Sequence, residues 1–252
     1  VVGYHTYIDL IAPLIAGKEI VRTGMMREVE RAEAALEAAL QGRRCAIVSS
    51  GDAGIYGMAG LVLELCRLRT VPIRLLHDPN GAPGGLTIEI VPGIPALAAG
   101  AALLGAPLTH DFAAISLSDL LTPWPQIEVR LDAAARADFV IVLYNPRSKR
   151  RQDHLAQACA VIARHRAPAT PVGVVTGAMR PNQRVALTSL EALPDAAVDM
   201  QTTLFVGNST TQVYRGCMIT PRGYARKYSV AAGDEGLGDG PAGANRGGAE
   251  SL

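Results

Sequence analysis

Apolar positions along this chain switch repeatedly between short unbroken runs and a helical spacing, the signature of strands alternating with helices. VVGYHTYIDL opens with a short strand, and GMMREVERAEAALEAALQG follows with Met26, Val29, Leu36 and Leu40 recurring between charged residues. That spacing predicts an amphipathic helix closed by Gly42. RRCAIVSS, residues 43–50, is a continuous apolar run between arginines and serines, as in a strand buried on both faces of a parallel sheet. A glycine loop comes next, then IYGMAGLVLELCRLR as a helix, and VPIRLL and TIEIV as strands on either side of the turn-rich HDPNGAPGGL. PALAAGAALLGAPL reads as a small-residue helix that ends at Gly105 and closes a first domain.

From residue 113 the alternation restarts, with AAISLSD, FVIVLYN and PVGVVTG as strands and PQIEVRLDAAARA and RQDHLAQACAVIARHR as helices between them. QRVALTSL, TTLFVGNS and RGCMIT then follow at short intervals, a pattern of antiparallel strands finishing a second sheet. The expected fold is therefore α/β, with two consecutive α/β domains over residues 1–109 and 110–228 and a cleft between them. Residues 229–252 are rich in glycine and nearly devoid of large apolar groups, so this tail is expected to be disordered. Ligands of open α/β sheets sit beyond the carboxyl ends of the strands, which directs attention to the loops there.

Composition narrows the partners. A chain of 252 residues, 49% hydrophobic, buries a sizeable core, and a formal net charge of +1 argues against a nucleic-acid partner. The four cysteines are far apart with no CxxC pair, which excludes a structural zinc site of that kind and fits a reduced, cytoplasmic protein. No apolar run reaches the ~18 residues of a membrane span.

The glycine loop SSGDAGIYG, residues 49–57, has neither the GKS/GKT of a Walker loop nor the GxGxxG of a dinucleotide fingerprint. Asp52 would repel a pyrophosphate; it suits a cationic or amine-bearing ligand, or else caps the following helix. VPGIPA, residues 91–96, is a rigid corner of low bulk after a strand. YNPRSKRR ends another strand with four cations in five positions from Arg147, either a carboxylate-binding cluster or a solvated helix start. TGAMRPNQ and VGNSTT are further small, polar strand exits, and five such exits suit a large polar ligand or two ligands.

In this order, SSGDAGIYG, EIVPGIPALAAGAALLGAPLTHDFAAISLSDLLTPW, FVIVLYNPRSKRR, TPVGVV, LFVGNSTT and MITPRGY resemble the tetrapyrrole (class III) methyltransferases, most specifically their precorrin-3B C-17 methyltransferase branch in cobalamin synthesis. The resemblance runs from Val1 to about Tyr228. It implies S-adenosyl-L-methionine folded into the cleft, a precorrin-type tetrapyrrole beside it, methylation at C-17 with contraction of the macrocycle, and a homodimer. Matching motifs put cofactor contacts on Ser50, Gly51, Asp52, Ile55, Pro95, Ala96, Asn145 and Ala178, with Thr203 and Leu204 less sharply placed. Substrate contacts fall on Ser118, Asp119, Arg147, Lys149, Arg150 and Arg151, and no metal ligands are implied. His110, in LTHDF, is the candidate general acid or base for the ring contraction, with Asp111 beside it.

Two departures accompany the resemblance. The family usually carries a strand and a glycine-proline loop ahead of VVGY, and without them the first sheet is expected to show an unpaired edge. The family's GDPG is GDAG here, a slightly less rigid turn. Two further readings remain: a class III methyltransferase acting at another tetrapyrrole position, and a homologue that binds the cofactor without chemistry.

Overall fold

The computed structural model describes residues 1–77, 84–148 and 151–228, with the side chain of Arg226 outside the description. The elements run β1 (Val2–Tyr4), α1 (His5–Leu10), β2 (Val21–Thr23), α2 (Glu28–Leu40), β3 (Ile47–Val48), α3 (Ala59–Leu68), β4 (Ile73–Leu75), β5 (Leu86–Ile88) and α4 (Ala96–Leu104). The second half continues with β6 (Gly105–Ala106), β7 (Phe112–Ser116), α5 (Trp124–Arg136), β8 (Val140–Tyr144), α6 (His154–Ile162), β9 (Pro171–Thr176), β10 (Arg184–Ser189), β11 (Thr202–Val206), β12 (Gln212–Tyr214), β13 (Cys217–Ile219) and α7 (Tyr224–Lys227).

The second half is built around one five-stranded sheet, ordered β10-β9-β11-β8-β7. Its β7–β8 pair is parallel, and β11 runs antiparallel to both β8 and β9. Along β11 the side chains alternate as a strand requires. Leu204 and Val206 join Leu131, Ile141, Leu143 and Leu155 in the core under α5 and α6, whereas Phe205 points to the other face with Leu104, Val142 and Val175. That other face is covered by α4, the helix expected to close the first domain. It lies on β9 and β11 because glycines on both sides permit close approach: a Cβ on Gly100 of α4 would meet Phe205 Cζ at 2.6 Å, and one on Gly173 of β9 would meet Leu104 Cδ1 at 2.3 Å.

The first half is less closed. β1, β2 and β3 form one parallel sheet, ordered β2-β1-β3, and β4 and β5 pair separately. A cavity of about 1080 Å³ separates them, lined by Ile47 and Val48 on one side and by Leu86, Thr87 and Ile88 on the other. This arrangement leaves β3 as an edge strand facing the cavity. It also corrects the expectation for residues 43–50: only Ile47 and Val48 pair as strand, and both are half-buried, because one neighbour is a cavity.

Two other expectations are corrected. The buried face of α2 is Arg31, Ala32, Ala35 and Leu36, while Met26, Val29 and Leu40 are exposed. Alanines bury against α3, and Arg31 reaches Thr23 Oγ1 (2.7 Å) and Gly24 O (3.0 Å), so its head group is satisfied indoors. RGCMIT does not extend the second sheet: β13 pairs with β12 and, in parallel, with β6. The loop at 78–83 and the tail at 229–252 lie outside the described residues.

Candidate functional site

The glycine loop follows β3 and the VPGIPA corner follows β5, so their approach closes one end of the first half. A Cβ on Gly93 would stand 2.0 Å from Gly51 O, and one on Gly57 would stand 2.5 Å from Asp52 O. Only glycine fits either place. Asp52 fastens the two segments: Oδ1 accepts from the Gly54 amide and Oδ2 from the Gly93 amide, each at 2.8 Å. These amides, Gly93 first, hold the carboxyl below its ordinary value. Helix α3 begins later, with Met58 at its N-cap, so Asp52 is not the cap of that helix.

Two tyrosines dock this assembly onto the second half. Tyr144, the last residue of β8, accepts from the Leu97 amide at 2.9 Å at the start of α4. Its ring lies 4.9 Å from that of Tyr56, whose hydroxyl donates to Ala114 O on β7 at 3.1 Å. Burial raises both phenols above their ordinary range. Asn145 follows in a left-handed conformation and donates from Nδ2 to Ser116 Oγ at 3.0 Å. From β9's exit, Arg180 donates to Ser50 Oγ at 2.6 Å. Of seven non-glycine residues with positive φ among the described residues, Met26, Tyr56, Asn145 and Met179 follow the carboxyl ends of β2, β3, β8 and β9. Backbone strain of this kind is concentrated where the loops converge.

The structure thus brings together Ser50, Gly51, Asp52, Pro95 and Asn145, with Ile55, Ala96 and Ala178 on the same loops. Thr203 and Leu204 are buried within β11, and the Leu204 side chain belongs to the core under α5 and α6. Ser118 and Asp119 follow β7, where Asp119 lies 3.2 Å from His154 Nε2 and 4.0 Å from Arg151 Nε. Arg151 also donates to Leu117 O at 3.2 Å, and Arg147 donates to Pro194 O at 3.0 Å, so both guanidiniums stitch the loop to its surroundings. Lys149 and Arg150 lie outside the described residues.

His110 is not brought to these loops. α4 leads away from the corner at Pro95, and β7 returns from Phe112 to Ser116, a path of roughly 13 Å at about 3.3 Å per residue. His110 and Asp111 therefore stand at the far end of that strand. There the exposed imidazole Nδ1 accepts from the Asp111 amide at 2.8 Å, and Arg222 donates to Thr109 O at 3.2 Å. Sequence reasoning passed over Tyr56, Tyr144, Gly93 and Arg180. Gly93 had a signal, a glycine between prolines after a strand; the others show their role only through contacts distant in sequence.

A glycine turn clamped by an aspartate thus stands where loops from the carboxyl ends of β3, β5, β8 and β9 meet. The tetrapyrrole (corrin/porphyrin) methylase family model matches residues 4–194, and the chain belongs to this family. Members use S-adenosylmethionine. Among particular relatives, it is 50% identical over 224 residues to a probable cobalt-factor III C(17)-methyltransferase of Salmonella typhimurium, covering 89% of this chain and 88% of that one. It is 46% identical over 230 residues to a cobalt-factor III methyltransferase of Priestia megaterium, covering 91% of this chain but 41% of that longer protein. The crystal structure of the methyltransferase CobJ superposes with a TM-score of 0.76 at 38% identity, covering 87% of each chain. These names support the C-17 methyltransferase reading of the sequence. Among the described residues, no helix is long and apolar enough to cross a membrane.

Proposed function

We propose that this chain transfers a methyl group from S-adenosylmethionine to C-17 of a cobalt-containing tetrapyrrole, with contraction of the macrocycle, on the route to cobalamin. The observation that carries the reading is the clamp of the glycine loop and the corner by Asp52, docked by Tyr56 and Tyr144 onto the second half. The residues present fit the cofactor: a backbone cradle without bulk at Gly51 and Gly93, beside an ionised carboxylate, suits a cationic, amino-acid-bearing group. Ser50, Gly51, Asp52, Ile55, Pro95, Ala96 and Asn145 would hold it, and Thr203 lies deeper. Bound there, S-adenosylmethionine supplies an electrophilic methyl group.

What the protein adds is position. Ile55, Tyr56, Ile94, Leu120, Leu121 and Met179 are exposed apolar groups on the converging loops, a rim suited to the faces of a planar macrocycle. Placing the attacking ring carbon against the donor and shutting out water needs no nucleophilic side chain. The Asp119–His154 pair at the same end of the second sheet offers proton transfer for the ring contraction, a role His110 is too remote to share with these loops. A homodimer, by analogy with the family, belongs to this proposal.

The test is incubation of the protein with S-adenosylmethionine and either cobalt-factor III or metal-free precorrin-3B, followed by product mass. One added methyl on the cobalt substrate supports the proposal. Methylation of neither contradicts it, and methylation of precorrin-3B alone would make the metal-free macrocycle the substrate.

A further inference from the structure

The turn joining β9 and β10 is fixed more firmly than a surface turn requires. The Gly177 amide donates to Gln201 O (3.1 Å), the Arg180 amide to Gly177 O (3.0 Å), the Met179 amide to Gln183 Oε1 (2.8 Å) and Asn182 Nδ2 to Gln201 Oε1 (2.9 Å). Gly177 has φ +59°, where a Cβ would come within 2.6 Å of Asn182 Oδ1, and Met179 holds φ 59° despite its side chain. Such a turn aims one side chain, and that side chain is Arg180. Its Nη2 reaches Ser50 Oγ at 2.6 Å across 130 residues of sequence.

A half-buried guanidinium resting on a neutral hydroxyl is an unusual expenditure of charge. It has five N–H donors in a planar fork that matches a carboxylate. Among the described residues no carboxylate lies within ion-pair distance of Arg180; at the neighbouring exit Arg151 is engaged by Leu117 O, Ser148 and Asp119, and Arg147 donates to Pro194 O while its buried Nε has no partner. Met179 beside it is 65% exposed, an apolar neighbour suited to a macrocycle edge. Asp52 puts negative charge on the floor of the glycine loop, which disfavours a second carboxylate there.

We infer that Arg180 is a specificity-determining residue that binds a peripheral carboxylate of the tetrapyrrole and, by bridging to Ser50, ties substrate to the loop that holds the methyl donor. The inference rests on the proposed function, in which the substrate is a polycarboxylate macrocycle. The donor also has a carboxylate, so the experiment must separate the two sources.

In the full chain, Arg180→Gln and Arg180→Lys are titrated with cobalt-factor III, with its fully esterified form and, separately, with S-adenosylhomocysteine. For Arg180→Gln the expected result is an affinity for cobalt-factor III lowered about 10- to 100-fold, the range of a charge-assisted hydrogen bond. Arg180→Lys recovers part of the loss, the ester binds wild type and variants alike, and S-adenosylhomocysteine affinity stays within about twofold. Unchanged affinity for cobalt-factor III, an equal loss for the ester, or a loss confined to S-adenosylhomocysteine would overturn the assignment. Wild-type protein that binds no tetrapyrrole would overturn the proposed function along with it.

Discussion

The two halves of the molecule are made from the same alternation of strands and helices, yet they close in different ways. In the second, Val140, Ile141, Val142 and Leu143 are fully buried between helices on both faces of a continuous five-stranded sheet. In the first, a three-stranded sheet and a two-stranded sheet face each other across a cavity, and the buried cluster between α2 and α3 is small, formed among the described residues by Ala32, Leu36, Leu65 and Cys66. The same contrast appears in their buried arginines. Arg166 is held by Ala135 O, Phe139 O and an ion pair with Asp138 at 3.2 Å; Arg31 has a hydroxyl, a carbonyl and the Met58 sulfur. The loosely closed half nonetheless provides the glycine loop and the corner. Order at the site is therefore borrowed: Tyr144, Ala114 and Arg180 hold those segments from the well-packed half.

The largest expected effect tests the packing difference. Leu131→Ala, in the second core, should lower stability by about 4 kcal/mol, and Leu36→Ala, near the cavity, by about 2 kcal/mol, measured by urea unfolding. Equal losses would erase the contrast. Gly93→Ala should next weaken S-adenosylhomocysteine about 100-fold in calorimetry, since its methyl has no room beside Gly51 O. The near-ultraviolet signal of Trp124 should persist, because the second half does not depend on the clamp.

Asp52→Ala should cost about tenfold in the same affinity, as two amides lose their acceptor. The pH dependence follows from the same carboxyl. Its folded pKa lies below the ordinary 3.8, so its contribution is complete above that value and is lost only as pH falls further, through the lowered pKa. Affinity should therefore be flat from pH 7 to pH 5 as far as this group is concerned. The smallest effect sharpens the docking: Tyr144→Phe removes one hydrogen bond to Leu97 and should weaken cofactor affinity about threefold, read by calorimetry.

Much of this architecture was legible because local patterns agree with it. β8 and β9 read as unbroken apolar runs, and α4 ends at Gly105, where φ is 114°. The register of α2 was not legible, since an arginine and two alanines bury where methionine and valine were expected. The position of α4 was hidden for a related reason: sequence neighbours suggested the first sheet, while its small face fits Phe205. At the site, the glycine loop and the corner were readable as punctuation, but their partners are not. Asp52 meets Gly93 across 41 residues, Leu97 meets Tyr144 across 47, Tyr56 meets Ala114 across 58 and Arg180 meets Ser50 across 130. No local pattern encodes such pairs.

Hydrogen exchange with and without S-adenosylhomocysteine tests the central claim most directly, because it reports where the ligand settles as well as whether it binds. Saturating ligand should slow the amides of residues 50–57 and 91–97 together, with little change in β12 and β13. Protection confined to the cavity between β3 and β5, or saturable binding that leaves the glycine loop unprotected, would contradict it.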